Sequence, residues 1–112
     1  MNTDRTRRWD NPEREAEMFS ALGHPVRLQL VALLADGPMC ACELEPRFDL
    51  NQSTVSRHLA TLKRAGVLSS HKEGVKVIYA VRDERVLAIV EQARAVADDA
   101  RRDRASSLQE AR

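Results

Sequence analysis

Two cysteines, Cys40 and Cys42, stand one residue apart in the stretch MCACEL, and the 112-residue chain contains no other cysteine. In a reducing compartment, such as the cytoplasm expected below, a lone cysteine pair is less suited to a structural disulfide than to metal binding or redox chemistry. The alternative is a pair of small buried hydrophobic side chains. Amide donors at a helix start favour thiolates, which soft ions bind. Residues two apart in a helix point in well-separated directions, so the sulfurs converge only if Cys40 lies at or before the first turn.

Basic residues form the second candidate site. The net charge of the whole chain is only +1, yet Glu73 is the single acidic residue between positions 51 and 82. The basic residues of that segment are Arg57, Lys63, Arg64, Lys72, Lys76 and Arg82. This concentration of positive charge indicates an anionic partner.

The cysteines follow two predicted helices. A short helix ends at about Leu22, Gly23 and His24 break the chain, and a second helix begins at Pro25. The stretch VRLQLVALLA is apolar around most of its circumference until Gly37, which predicts a central helix packed on several sides.

A helix-turn-helix is predicted from two segments after the cysteines. CELEPRF is long enough for two helical turns, and NQSTVSRHLATLKRA follows after a short turn. Asn51 is placed to cap the second helix and Gly66 to end it. Val55, Leu59 and Leu62 form a narrow buried stripe.

The opposite face of this second helix carries the polar and basic side chains. The N-terminal half of such a helix usually reads base edges, so these residues are candidate DNA contacts. The alternative is an ordinary solvated face. The candidates are Gln52, Ser53, Thr54, Ser56, Arg57, Lys63 and Arg64.

Residues 67–81 change to a period of two, which predicts a β-hairpin with its turn around Glu73 and Gly74. Its apolar residues alternate on one side, at Val75, Val77, Tyr79 and Val81. A basic hairpin directly after the second helix is typical of a wing, in which Lys72 and Lys76 contact phosphate. His58 either packs under this wing or touches DNA.

The last predicted helix, from Asp83, has more apolar surface than one small domain buries. The spacing i, i+3, i+4, i+7 predicts one seam along it. We expect a homodimer interface shared with the first helix. Its predicted residues are Phe19, Val86, Ile89, Val90, Ala93, Val96 and Ala97.

Length and composition limit the fold class. With 43% hydrophobic residues and few aromatic ones, residues 1–112 are expected to form one domain, with disordered or frayed tails at 1–10 and about 100–112. The predicted fold is mainly α with a small β-hairpin wing, a dimeric winged helix-turn-helix of five helices. No apolar run approaches the roughly 20 residues that span a membrane, so a cytoplasmic protein is expected.

An enzyme is not expected. The sequence lacks a Gly-rich phosphate loop and a Ser, His and acid grouping that indicates a nucleophile. A small thiol enzyme or metal carrier is the rival reading of the cysteines. Thioredoxin-type enzymes, however, use C-x-x-C after a strand, whereas this pair lies among helices.

Over roughly residues 13 to 97 the sequence resembles the ArsR/SmtB family of small winged-helix repressors. The resemblance rests on ALGHPVRLQLVALLA, on the cysteine pair, on LNQSTVSRHLATLKRAGVL and on the basic wing. It implies a homodimer that represses a promoter on double-stranded operator DNA. Such repressors dissociate from the operator when a toxic metal or metalloid, or in some members an oxidant or a sulfur species, reacts with them. Two half-sites of a dimer predict an imperfect inverted repeat.

Cys40 and Cys42 match the pair that arsenic- and antimony-sensing members carry as C-x-C-[DE]-L at the start of the helix before the recognition helix. Glu45 stands where some of those members have a third cysteine. Zinc-sensing members often use acidic residues and histidines on the last helix, and this chain has no histidine from Asp83 to Arg112. The resemblance therefore implies As(III) or Sb(III) as inducer, with no cofactor required for DNA binding. A redox or reactive-sulfur sensor and a cadmium or lead sensor are the alternatives.

Overall fold

The computed structural model describes residues 11–110 of the chain. The chain divides into two compact units, Met1–Arg82 and Asp83–Arg112. The tail predicted at residues 1–10 lies outside the described residues, and a single domain over residues 1–112 stays a prediction. Between residues 11 and 110, no single helix is long and apolar enough to cross a membrane; only the first two, as a pair bent by 86°, have the length and composition.

Two helices come first among the described residues. α1 spans Glu13–Leu22, and α2 spans Pro25–Leu33 before a 3-10 turn at Leu34–Asp36. His24 is the extended N-cap residue of α2, and its Nδ1 accepts a hydrogen bond of 3.1 Å from the amide of Val26. The break predicted between the helices is confirmed.

The helix-turn-helix follows. α3 spans Ala41–Leu44 and tightens into a 3-10 turn at Glu45–Arg47, because Pro46 cannot donate an α-helical hydrogen bond. α4 spans Gln52–Arg64 and packs against α1 and α2. The predicted stripe is confirmed, since Val55, Leu59 and Leu62 are fully buried.

A three-stranded antiparallel sheet contains the wing. β1 spans Met39–Cys40, β2 spans Leu68–Glu73 and β3 spans Lys76–Val81, in the order β1-β3-β2. The hairpin is confirmed, but the position of Val75 is wrong. It lies beside Gly74 in the two-residue turn, fully exposed, because the positive φ of Gly74 (62°) ends the strand at Glu73.

The second unit contains one long helix. α5 spans Glu84–Glu110 and is 27 residues long. A frayed tail was expected from about residue 100, whereas the helix continues to Glu110. Of the predicted interface residues, Phe19 lies on α1 and the other six lie on α5, where Ile89 and Val96 are exposed.

These elements make the predicted class correct. Within residues 11–110, five helices and a small antiparallel wing form a mainly helical winged helix-turn-helix.

Candidate DNA interface and thiol site

Asn51 fixes the start of the candidate reading helix, α4. Its backbone is extended, and its Oδ1 accepts hydrogen bonds from the amide of Thr54 (2.9 Å) and from the hydroxyls of Ser53 (2.9 Å) and Thr54 (2.7 Å). The protons of both hydroxyls are therefore used within the cap. Ser53 and Thr54 have lone pairs left for a base amino group, but they would have to leave the cap to donate to DNA.

Because this cap is the only side-chain bond that α4 receives at its start among the described residues, Asn51→Ala should lower the free energy of unfolding by about 1 kcal/mol. Asn51→Asp is the matched control, since it keeps the acceptor oxygen and places a negative charge at the helix N-terminus. Urea denaturation measures both variants. Equal midpoints for wild type and Asn51→Ala would contradict the importance of the cap.

The remaining candidate side chains of α4 face outward. Val55 and Leu59 lie against the core, while the polar face opposite them is exposed. The exposed candidates are Gln52, Ser53, Ser56, Arg57, Lys63 and Arg64, and Thr54 is half-buried. The helix thus presents a polar and basic surface that is free to approach an anionic partner.

The wing adds two exposed lysines, one on each side of its turn. Lys72 pairs in register with Val77, and Lys76 pairs with Glu73. Successive residues of a strand point to opposite faces, so the two lysines lie on opposite faces of the hairpin. His71 and Glu73 form an exposed pair at 3.0 Å. A groove entered by the wing tip would meet positive charge on both faces of the hairpin.

The two cysteines meet at the start of α3. Cys40 ends β1 and is the extended N-cap residue of α3, with φ −68° and ψ 145°. Cys42 is the second residue of the helix, the two Cα atoms are 5.1 Å apart, and the sulfurs are joined as a disulfide. The condition for convergence, that Cys40 precedes the first turn, is met. Cys40 is buried, whereas Cys42 is exposed.

Hydrogen bonds tie the sulfur of Cys40 into the helix cap. Its Sγ accepts from the amide of Cys42 at 3.1 Å, and its own amide donates to Oε1 of Glu43 at 3.0 Å. Cys40 also faces Ile78 in the pairing of β1 with β3. This one residue therefore belongs to both the helix-turn-helix and the wing sheet.

The surroundings of the pair supply no ready third ligand. Among residues 11–110, no group of three or more His, Cys, Asp or Glu side chains is arranged to hold a metal ion. Glu43 is used in the cap, and Glu45 is half-buried in the 3-10 turn. Burial of Tyr79 and the nearby charge of Glu45 raise the pKa of the Tyr79 phenol.

A contact that the sequence did not indicate involves His58. Its Nδ1 accepts a 3.1 Å hydrogen bond from Nε of Arg27, and its ring centroid lies 4.5 Å from that of His24. His58 thus faces α2. The one available signal was Arg27 itself, the single charged residue in the mostly apolar stretch VRLQLVALLA.

Known proteins match this arrangement. The family model described as "Bacterial regulatory protein, arsR family" matches residues 24–70. An uncharacterized HTH-type transcriptional regulator of Methanocaldococcus jannaschii is 42% identical over 79 residues, which cover 70% of this chain and 89% of that protein. The chain belongs to the ArsR family. Family and fold are those of DNA-binding transcriptional regulators, not of enzymes.

Other relatives of this ArsR-family chain carry names that mention metals. A cadmium resistance transcriptional regulatory protein, a CadC homolog of Staphylococcus aureus, is 34% identical and covers 74% of this chain and 69% of its own length. A probable mercury resistance operon repressor of Streptomyces lividans is 35% identical, with coverages of 80% and 71%. The family resemblance is confirmed, whereas these names do not single out arsenic.

Several solved structures have a similar fold. The Rv0081 protein of M. tuberculosis matches with a TM-score of 0.74 and 31% identity over 80% of this chain and 91% of that one. HlyU from Vibrio cholerae matches with a TM-score of 0.69 and 31% identity. The match covers 79% of this chain and 96% of that one. A third match is a homodimeric winged helix-turn-helix domain of Mycobacterium bovis, from a possible ArsR-family regulator. Its TM-score is 0.71 and its identity 29%, over 78% of this chain and 81% of that one.

Proposed function

We propose that this ArsR-family regulator is a repressor that leaves its operator when Cys40 and Cys42 close on one trivalent arsenic or antimony ion. The observation that carries the proposal is the position of the pair, with Cα atoms 5.1 Å apart at the start of the first helix of the helix-turn-helix. Soft ions prefer thiolate to carboxylate. Two convergent sulfurs there would couple a soft ion directly to the DNA-binding motif.

The coupling is through Cys40. In the disulfide form its sulfur already accepts from the amide of Cys42, so an ion placed between the two sulfurs would have to move them apart and would disturb this cap of α3. The same residue is held in register with Ile78 of β3, so its movement shifts the wing strand as well. The helix-turn-helix and the wing would therefore leave their DNA-bound positions together.

The two sulfurs leave the ion short of one ligand. Trivalent arsenic prefers three sulfur partners, and this chain offers two per subunit. Glu45 is a poor substitute because its carboxylate is hard. We infer that water, chloride or a small thiol completes the site, and that binding is weaker than at a three-cysteine site.

Soft divalent metals are the alternative ligands for the same sulfurs. The names of the cadmium and mercury relatives support including both metals, and lead, among the inducers to be tested.

A second candidate is a thiol redox or reactive-sulfur switch. The observation that favours it is the disulfide between Cys40 and Cys42. Peroxide would take two electrons and two protons from the dithiol and leave two waters. Polysulfide would supply two sulfane sulfurs, of which one stays as a bridge between the cysteine sulfurs and the other takes the two electrons and two protons and leaves as hydrogen sulfide. The exposed Cys42 would react first, and the buried Cys40 would resolve the intermediate.

For DNA, we propose that the polar face of α4 reads bases and that the wing lysines contact phosphate. The exposure of Gln52, Ser56 and Arg57 near the start of α4 supports the first role, and the two exposed lysines of the wing support the second. Lys63 and Arg64, at the other end of α4, are proposed as phosphate contacts.

Arg57 and Lys76 should respond differently to removal. Arg57→Ala should cost about 1 to 3 kcal/mol at the cognate operator and relax preference at one base pair, because a guanidinium binds the guanine edge. Lys76→Ala should weaken all sequences about equally, since a phosphate contact carries no sequence information. Competition binding against a set of single-base operator variants distinguishes these effects. Equal, sequence-independent losses from both variants would mean that the reading face is elsewhere.

We also propose a homodimer. Phe19 on α1 and Val96 on α5 are large apolar side chains that are 61% and 67% exposed in the single chain. Val86 is 4% exposed and has little surface left for a partner, so Ile89, Val90 and Val96 carry more of the proposed seam. The homodimeric relative of similar fold supports this assembly.

One experiment separates the candidate inducers. Mobility shifts of reduced, metal-free protein on its operator are run in parallel with arsenite, antimonite, cadmium, mercury, lead, zinc, peroxide and polysulfide. The protein should bind without any added cofactor and release with arsenite or antimonite. Release by peroxide or polysulfide alone would favour the redox switch, and release by cadmium or mercury alone would favour the metal sensor.

A further inference from the structure

The guanidinium of Arg27 joins three helices. Its Nε donates to Nδ1 of His58 on α4 at 3.1 Å, and its Nη1 donates to the carbonyls of Ser20 (3.4 Å) and Ala21 (3.3 Å) at the end of α1. Arg27 itself lies in the first turn of α2. One planar side chain therefore sets the position of α4 relative to both helices behind it.

Both imidazoles at this junction accept a hydrogen bond at Nδ1. His58 accepts from Arg27, and His24 accepts from the amide of Val26. An imidazolium has no acceptor nitrogen, and a guanidinium has none either. Protonation of His58 would therefore replace the hydrogen bond by two facing cations.

The charged groups around His58 all disfavour its protonation. Burial, followed by His24, Arg27 and Arg57, lowers the pKa of His58 below its ordinary value of about 6.5. His24 and Arg27 act from α2, and Arg57 acts from α4 itself. Within the described residues, no acidic side chain of α1 or β2 offsets them.

We infer that Arg27 and His58 are positioning residues for DNA reading, and that their contact makes operator binding fail on acidification, independently of the cysteines. His58 directly follows Arg57, the proposed base-reading residue, so a shift of one moves the other. The inference rests on the proposed role of α4 as the reading helix. It adds a second input, the proton, to a repressor whose proposed first input is a soft ion.

The expected sign is opposite to that of ordinary electrostatics. A histidine that merely lies near phosphate is stabilised in its charged form by DNA, so acid would tighten binding. Here the favourable contact requires neutral His58. Its contribution is present above about pH 6.5 and is lost as the pH falls toward the lowered pKa. Operator binding should weaken where a surface histidine would strengthen it.

The test is operator affinity of the reduced full-length protein between pH 7.5 and 5.5, without inducer. Wild type should bind more weakly at pH 5.5, because a hydrogen bond between charged and neutral partners is exchanged for repulsion. The loss should stay below about tenfold, since a histidine whose pKa lies below about 6.5 is only partly protonated at that pH. His58→Asn should remove this dependence, since its Oδ1 takes the place of Nδ1 and does not titrate. His71→Asn is the matched control on the wing and should keep it.

Wild-type affinity that is unchanged or tighter at pH 5.5 would overturn the inference, as would an unaltered pH profile in His58→Asn. If His58→Asn does not fold, NMR titration of the wild type decides: a His58 pKa at or above 6.5 overturns the inference, and a lower one that rises in Arg27→Gln supports it. Operator binding at pH 7.5 and release by arsenite are measured separately. A protein that passes both but ignores acid contradicts this inference alone.

Discussion

Cys42→Ser is expected to stay on operator DNA at every arsenite concentration that releases the wild type. One thiolate per subunit remains in this variant, and a single sulfur cannot draw Cys40 out of the cap of α3 by closing on a shared ion. Fluorescence anisotropy of a labelled operator, under anaerobic conditions with a non-thiol reductant, measures the release. The expected change is complete loss of the response, with operator affinity before arsenite close to that of the wild type.

The companion variant is Glu45→Cys, which supplies a third thiolate three residues after Cys42. It should release the operator at about one tenth of the arsenite concentration that the wild type needs, or at a still lower one, because a soft ligand replaces a hard one. Glu45→Ala is the matched control and should respond like the wild type. Release of Cys42→Ser by arsenite would show that the pair is not the inducer site. A wild type that ignores arsenite but releases with peroxide or polysulfide would make the pair a redox switch.

Ile89→Glu is expected to convert the protein to monomers and to abolish specific operator binding. A buried, unpaired carboxylate in the proposed α5 seam is costly, so the two copies separate. A monomer reaches one half-site only and loses the gain from binding both, which is about a hundredfold or more. Sedimentation equilibrium at micromolar concentration gives the mass, and anisotropy gives the affinity.

Ala95→Glu is the matched control for this variant. Residue 95 lies on α5 about opposite the seam, since each residue turns the helix by about 100°. It should remain dimeric and bind DNA. A wild type that sediments as a monomer, or equal dissociation of both variants, would contradict the seam.

Local signals made much of the helix-turn-helix predictable. Asn51 has a side chain suited to capping, Gly66 adopts a φ of 85° that favours glycine, and the spacing of the buried leucines on α4 has the helical period. Each of these is set by neighbours within a few residues. These features could therefore be predicted from the sequence without the tertiary structure.

Long-range contacts were beyond such signals. β1 has two residues, which is too short to show a period, and it exists because Met39 and Cys40 pair with Tyr79 and Ile78 far along the chain. The hydrogen bond between Arg27 and His58 spans 31 residues. Neither contact produces a pattern in the spacing of residues along the sequence. Both arise when separately predictable elements pack together.

The thiol site lay between these two cases. The sequence stated the condition for convergence, that Cys40 precede the first turn of the helix, and the extended N-cap conformation of Cys40 meets it. It did not indicate that Cys40 also belongs to the wing sheet. That second membership is what gives the proposed site a route to both DNA-contacting elements.

The most direct test of the proposed site is arsenic X-ray absorption on reduced protein that is loaded with one arsenite per subunit in a buffer free of thiols and of chloride. We predict two sulfur neighbours and one light ligand around each arsenic. A shell of oxygen alone would contradict the proposal, because arsenic would then be bound away from Cys40 and Cys42.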